Sequence, residues 1–181
     1  AGIARTFGAD PQTENSLGIS LAEILYNCFA HSEVLTTLKG VACGQSYPKG
    51  NLAQIAIGDV GIGVRKTLHG NPALHSELLR SDACEIATRF GATGKPGKGH
   101  AGYGLALARQ LMEAAGGKLI VYSNNELFHA AGGSSYATTT KTAWNGTMVV
   151  MEWRCDRPLD VGPIYESWPR PQGYTDDDFD F

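Results

Sequence analysis

Apolar residues recur at a helical spacing near the start of the chain and predict a first long helix over residues 16–38. Its apolar side carries Leu17, Leu21, Ile24, Leu25 and Cys28. The opposite side carries Ser20, Glu23, Asn27 and His31, three or four residues apart. A solvated helix face usually carries long cationic side chains, and this stripe has none. The stripe therefore indicates a face that contacts a ligand, although an ordinary solvated face is the alternative.

Alternating isoleucines predict a short strand over residues 51–59. Asp59 lies at its end and is followed by Gly61 and Gly63. Glycine permits positive φ angles and lets a ligand approach the backbone closely. An aspartate on such a turn can accept a hydrogen bond from the amine of a ligand. An ordinary Asx turn at the exit of a strand explains the same three residues at least as well.

A glycine-rich segment, residues 99–105, leads into the clearest helix of the chain. Apolar residues keep a helical spacing from Leu105 onwards, and the pair Gly116-Gly117 predicts the end of this helix. A glycine-rich loop that enters a helix presents free N–H groups and the positive end of the helix dipole to an anion, typically a phosphate. Farther on, Asn145-Gly146 predicts a turn into a mostly buried strand over residues 147–153.

Shorter signals predict the elements between these features. They are helices over residues 64–69, 71–79 and 81–90, a turn over 40–50, a strand over 118–123, and a hairpin or irregular loop over 126–142. We expect one domain over residues 16–157. Residues 1–15 are predicted to be a loose N-terminal extension, and residues 158–181, Pro-rich and then acidic, a flexible tail.

Composition narrows the class of protein. The chain has 181 residues, of which 43% are hydrophobic, so it can bury a sizeable core. Its net charge of −3 argues against a nucleic-acid partner, which would require a basic face. No apolar run approaches the roughly eighteen residues of a membrane span, so no membrane partner is expected. Four widely spaced cysteines without a C-x-x-C motif indicate reduced thiols in a cytoplasmic protein, and not a zinc site.

Five motifs, taken in order, resemble those of the GHKL superfamily of ATP-binding domains, which includes DNA gyrase, heat-shock chaperones, sensor histidine kinases and anti-sigma-factor kinases. The motifs are Glu23-x-x-x-Asn27, Asp59-x-Gly61-x-Gly63, Gly102-x-Gly104-Leu105, Gly116-Gly117 and Gly146-Thr147. The sub-group that looks most similar is that of stand-alone bacterial ATP-binding regulators. The resemblance implies a Bergerat-type α/β sandwich, with a mixed, mainly antiparallel sheet, helices on one face and a mobile lid over ATP.

The resemblance also implies which residues would hold the adenine. Asp59 would accept from the exocyclic amine, and Gly61 belongs to the same motif. Gly63 would keep the adenine pocket open. Thr147 would bond, directly or through water, near the same edge of the base. His31 occupies the place where kinases of the family often have an aromatic residue beside adenine.

At the phosphate end, the resemblance implies that Glu23 is a general base toward the attacking water and that Asn27 ligates Mg²⁺ through its amide oxygen. The residues that would face the phosphates are Lys98, Gly99, Gly102, Tyr103, Gly104 and Leu105. Residues 91–102 would form the lid, from which Lys95 or Lys98 could reach a phosphate. Solvated loop charge explains these lysines equally well.

Two departures from the family's kinases bear on the reaction. Sensor histidine kinases usually have Asn or His where this chain has Glu23, and a basic residue where it has Ala30. We therefore expect ATP hydrolysis, or transfer of the γ-phosphate to a protein, in a regulatory or signalling system with a protein partner or substrate. The alternative is a nucleotide-gated interaction module with little or no turnover. A homodimer is an open expectation.

The sequence also contains a glycine fingerprint typical of a different fold. Residues 97–102 match Gly-x-Gly-x-x-Gly, which in dinucleotide-binding folds directly follows a buried strand. Residues 89–96, with two glycines and a proline, cannot form that strand. The dinucleotide interpretation also leaves the motifs at Glu23 and Asp59 without a role, so the GHKL resemblance is preferred.

Overall fold

The computed structural model of the protein describes residues 10–31, 40–96 and 102–169, with side chains in these ranges except for residues 28–31. The α-helices are α1 (Pro11–His31), α2 (Val64–Leu68), α3 (His75–Leu78), α4 (Ala83–Ala87), α5 (Gly104–Ala114) and α6 (Gly162–Ser167). The strands are β1 (Gly40–Tyr47), β2 (Leu52–Asp59), β3 (Lys118–Ala131) and β4 (Ser134–Arg154). Short 3-10 helices lie at Pro48–Gly50 and Pro72–Leu74.

The four strands form one sheet in the order β1-β2-β4-β3, and each neighbouring pair is antiparallel. The register places Ile55 of β2 opposite Met151 of β4, and Met151 opposite Leu119 of β3. These three side chains are almost fully buried on one face, against which α1, α4 and α5 pack. The predicted α/β class and the antiparallel sheet are therefore confirmed.

Strand β1 corrects the prediction of a turn over residues 40–50. Its eight residues pair with β2 without interruption, from Gly40 opposite Asp59 to Tyr47 opposite Leu52. All eight are exposed, so this strand lacks the buried apolar alternation by which strands are recognised in a sequence.

Strands β3 and β4 form a hairpin much longer than predicted. The Asn-Asn pair after Ser123 was expected to end the strand, but β3 continues to Ala131 past a register shift at which Asn124 has φ 53°. Such a β-bulge bends a strand without ending it. The hairpin closes at Gly132-Gly133, both with positive φ, which confirms the predicted hairpin and rejects the irregular loop.

Helix α1 begins earlier than predicted, at Pro11, so residues 11–15 are helical and not a loose extension. The Asp10 carboxylate accepts from the backbone N–H groups of Gln12 and Thr13, and proline is favoured at the first helical position. The predicted continuation of this helix over residues 32–38 lies outside the described residues, as do residues 1–9.

The C-terminal segment also differs from the prediction. Leu159 and Val161 are buried in the core, as is Ile164 of α6, so residues 158–169 are not a flexible tail. The rest of the predicted tail, residues 170–181, lies outside the described residues.

The shorter helices agree with the sequence in position and are shorter than predicted. The Asn71 side chain accepts from the N–H of Ala73, and Asp82 caps α4 in the same way through the N–H of Glu85. Helix α5 ends before Gly116, whose φ is +64°, as predicted from the glycine pair. Among the described residues, no helix combines the length and the apolar character needed to cross a membrane.

Candidate functional site

A cavity of about 340 Å³ opens between α1, the C-terminal end of β2, the facing part of β4 and the start of α5. This volume is within the range of small-molecule sites. Eight residues named from the sequence line it: Glu23, Asn27, Asp59, Gly102, Tyr103, Gly104, Leu105 and Thr147. They come from four separate motifs, and the fold brings them to one place.

Asp59 is held in one orientation at the end of β2. Its Oδ1 accepts from the N–H of Gly61 at 2.7 Å and from the N–H of Thr147 at 3.2 Å. Burial raises the pKa of this carboxyl above its usual value, and the two backbone hydrogen bonds oppose that shift. Within the described part of the chain, no group donates to Oδ2. One carboxylate oxygen is therefore fixed by the backbone, and the other is available to a ligand in the cavity.

Gly146 explains why β4 can approach Asp59 so closely. It has φ +120°, and a Cβ at this position would lie 2.8 Å from Oδ1 of Asp59. The indole of Trp144 also donates to the backbone carbonyl of Asp59, at 2.9 Å. The Gly146-Thr147 motif thus serves to bring a backbone N–H group to the carboxylate.

Gly61 and Gly63 lie beside the cavity and do not line it. Gly61 closes the Asx turn with Asp59, which is the ordinary interpretation of this motif. Gly63 has φ +82°, and a Cβ there would lie 2.9 Å from the hydroxyl of Ser123 on β3. In the structure, Gly63 allows the chain leaving β2 to pack against β3.

The polar stripe of α1 divides into two parts. Glu23 and Asn27 line the cavity, as predicted. Ser20 is fully buried away from the cavity, and its hydroxyl has no hydrogen-bond partner among the described residues. Leu25, predicted on the apolar side, is 40% exposed. The side chain of His31 lies outside the described residues.

Helix α5 begins directly against Glu23 and Asn27. A Cβ at Gly104 would lie 3.0 Å from the Cβ of Glu23 and 3.3 Å from Nδ2 of Asn27, so a larger residue would push the two helices apart. The first N–H groups of a helix have no partner within it and carry its positive dipole end. The contact thus places a carboxylate, an amide and free N–H groups together at one end of the cavity.

The two ends of the predicted lid are fixed by close backbone packing. Gly102, with φ +73°, packs against Ala92, and its carbonyl accepts from the N–H of Gly91 at 3.2 Å. Close to Gly91, the Asn71 amide also donates to the carbonyl of Thr93 at 2.9 Å. Lys98 and Gly99, named as phosphate contacts, lie outside the described residues.

Sequence reasoning missed Tyr165, which lines the cavity from α6. Burial raises the pKa of its phenol, and the negative charge of Glu23 adds to this shift. A signal for α6 was present in Gly162-Pro163, since proline is favoured in the first turn of a helix. The acidic composition of the residues that follow concealed it.

The described residues hold no cluster of three or more His, Cys, Asp or Glu side chains that could bind a metal ion. Asn27, the predicted Mg²⁺ ligand, offers one hard oxygen, and Mg²⁺ commonly completes its shell with phosphate oxygens and water. The residues at this end of the cavity fit a metal that arrives with a phosphorylated ligand.

Comparison with known proteins gives no family assignment, since no family model matches the chain and no curated protein matches it.

Proposed function

We propose that this chain is a Mg²⁺-ATP-binding domain of the GHKL type, which hydrolyses ATP or transfers its γ-phosphate to a protein in a regulatory system. The observation that carries the proposal is the meeting of four sequence motifs in one cavity. The groups that meet there are the Asp59 carboxylate, Thr147, whose backbone N–H bonds to that carboxylate, the Glu23-Asn27 pair and the N-terminus of α5. In this proposal, residues 91–102 are the lid of a Bergerat-type sandwich.

The Asp59 end of the cavity suits an adenine base. A purine needs apolar walls and an acceptor for its exocyclic amine. The apolar lining residues include Ile57, Val64, Leu68, Leu107 and Val149. The Oδ2 of Asp59 supplies the acceptor, and the two bonds to Oδ1 fix its direction before the ligand arrives. Because the acceptor is already oriented, the entropic cost of binding is smaller.

The Glu23 end suits the phosphates. The free N–H groups at the start of α5 stabilise negative charge, and the amide of Asn27 offers an oxygen to a cation that accompanies the phosphates. Bound magnesium would neutralise charge on the phosphate oxygens. In this proposal, the carboxylate of Glu23, which lines the cavity, accepts the proton of an attacking water or protein hydroxyl.

The test is calorimetric titration with a non-hydrolysable ATP analogue and Mg²⁺, comparing the wild-type chain with Asp59→Asn. Asparagine keeps an oxygen for the N–H groups of Gly61 and Thr147, but it places an NH₂ group where the adenine amine needs an acceptor. We expect affinity to fall at least about tenfold, because two donors then face each other.

Asp156→Asn is the matched control, since Asp156 is exposed and pairs with Arg154 at the surface. It should bind the analogue as the wild type does. Equal affinity in Asp59→Asn would reject the adenine assignment, and no binding by the wild-type chain would reject the proposed function.

A further inference from the structure

Two aromatic residues flank the segment 91–102. Phe90 directly precedes Gly91, and Tyr103 lies between Gly102 and the start of α5. Their rings stack nearly parallel, with centroids 4.6 Å apart and an interplanar angle of 11°. The N–H of Gly91 also donates to the carbonyl of Gly102 at 3.2 Å. The start and the end of this segment are therefore held side by side, and through Tyr103 the stacked pair adjoins the first turn of α5.

Trp168, the residue that follows α6, packs on both of these rings. Its ring centroid lies 4.8 Å from that of Phe90 and 5.3 Å from that of Tyr103, distances at which tilted aromatic rings attract one another. Its indole N–H donates to the side chain of Gln110 on α5 at 3.1 Å, and the ring is partly buried against the core. Phe90, Tyr103 and Trp168 thus form one aromatic cluster, which joins the C-terminal segment to the start of α5.

The segment that carries Trp168 is itself attached to α1. The backbone N–H of Leu159 donates to Oγ1 of Thr13 at 2.9 Å, and that of Val161 donates to Oγ of Ser16 at 3.2 Å. Both bonds are buried, so they are exchanged for water only at a cost. Trp168 therefore has a support that is independent of the two rings on which it packs.

Tyr103 connects the aromatic cluster to the cavity. It lines the cavity together with Gly102, Gly104 and Leu105. Its carbonyl accepts from the N–H of Leu107 at 2.7 Å, which is a bond of the first turn of α5. In the proposed function, this end of the cavity holds the phosphates. The position of Tyr103 therefore determines where the start of α5 lies relative to them.

We propose that Trp168 is a positioning residue for phosphate binding: its ring holds Tyr103, and through it the start of α5, in the position that receives the phosphates. This inference rests on the proposed function and extends the site to a residue that does not line the cavity. Loss of the Trp168 ring should weaken the contacts to the phosphates and leave the contact between Asp59 and adenine unchanged.

The test is calorimetric titration of the wild type and Trp168→Leu with two probes, the non-hydrolysable ATP analogue with Mg²⁺ and adenosine. Leucine keeps an apolar side chain against the core and removes the ring contacts with Phe90 and Tyr103. We expect the Kd of the analogue to rise about tenfold and the Kd of adenosine to stay unchanged, because adenosine has no phosphates. Trp168→Phe, which keeps an aromatic ring at this position, should recover most of the affinity for the analogue.

Tyr136→Leu is the matched control, because it removes an exposed ring that stacks on His129 and does not line the cavity. It should bind both probes as the wild type does. An unchanged Kd of the analogue in Trp168→Leu would overturn the inference, as would a phenylalanine variant as weak as the leucine one. An equal loss of affinity for both probes would also overturn it, since Trp168 would then only support the fold. In each of these cases the wild type still binds the analogue, whereas absence of that binding would reject the proposed function and this inference together.

Discussion

Asp59 lines the cavity, and its buried negative charge lowers the stability of the fold. It is 9% exposed, and burial raises its pKa above the usual value despite two backbone hydrogen bonds. When the pKa of a group is higher in the folded than in the unfolded protein, the protonated form of the group favours the fold. Its contribution to stability is complete below the unfolded-state pKa and is lost as the pH rises through the folded-state pKa. At pH 7, the ionised carboxylate therefore lowers the free energy of unfolding. Such a residue is expected where binding requires it.

We therefore predict that Asp59→Asn, which should weaken nucleotide binding, does not weaken the fold. Asparagine has no charge to desolvate and can still accept from Gly61 and Thr147. Urea unfolding at pH 7 should give a free energy of unfolding equal to or above that of the wild type. The advantage should disappear at about pH 3, where the wild-type carboxyl is protonated. A variant less stable than the wild type at pH 7 would show that the charge of Asp59 supports the fold.

At the scale of single residues, spacing in the sequence predicted which side chains share a face of a helix, but not how deeply each of them is buried. Glu23 and Asn27 line the cavity as their helical spacing indicated. Ser20 follows the same spacing and is buried, and nothing in the spacing distinguishes it from Glu23 and Asn27. For Gly63, the positive φ was foreseeable, but its close neighbour on β3 was not, since that contact spans 60 residues of chain.

At the scale of elements, most of what the sequence did not reveal lacks a buried apolar period. Strand β1 is exposed along its whole length, and so is most of the first half of β4, whereas the distal half of β3 keeps the alternation and buries Phe128 and Ala130 in the core. The C-terminal segment also buries Leu159, Val161 and Ile164. This run of apolar positions is too short to indicate one element, and the backbone N–H groups of Leu159 and Val161 are held by hydrogen bonds to α1 that only the tertiary structure provides.

The bond between Ser16 and Val161 allows this attachment to be tested. Ser16→Ala leaves the buried N–H of Val161 without its acceptor. We expect the free energy of unfolding, measured with urea, to fall by about 1–2 kcal/mol, because the lost hydrogen bond outweighs the small gain in helix propensity. Ser76→Ala, at an exposed position in α3, is the matched control and should be neutral or slightly stabilising. Equal effects in the two variants would show that the bond between Val161 and Ser16 does not stabilise the attachment.

At the scale of the whole molecule, a second polar network lies beyond the cavity and joins α2, the start of α4 and β3. Arg65 forms a two-point ion pair with Glu126 and also donates to the carbonyls of Leu78 and Ser81. Glu126 accepts in addition from the N–H of Ala83, at 2.9 Å. Since α2 directly follows the Asp59 motif, this network fixes one wall of the cavity from behind.

The network predicts a specific dependence of stability on pH. Burial alone would raise the pKa of Glu126, but the bonds from Arg65 and Ala83 outweigh it, and the pKa lies below its usual value. A lowered folded-state pKa means that the stabilisation is present above the unfolded value of 4.5 and is lost as the pH falls through the folded value.

We expect Glu126→Gln to lower the free energy of unfolding at pH 7 by about 1–2 kcal/mol. The amount is modest because Arg65 is more than a third exposed. Urea unfolding should show the difference from the wild type shrinking toward pH 3. Glu113→Gln, which breaks a pair within α5, should cost less than about 0.5 kcal/mol at either pH. A cost for Glu126→Gln that is the same at pH 7 and pH 3 would mean that packing, and not charge, holds this wall of the cavity.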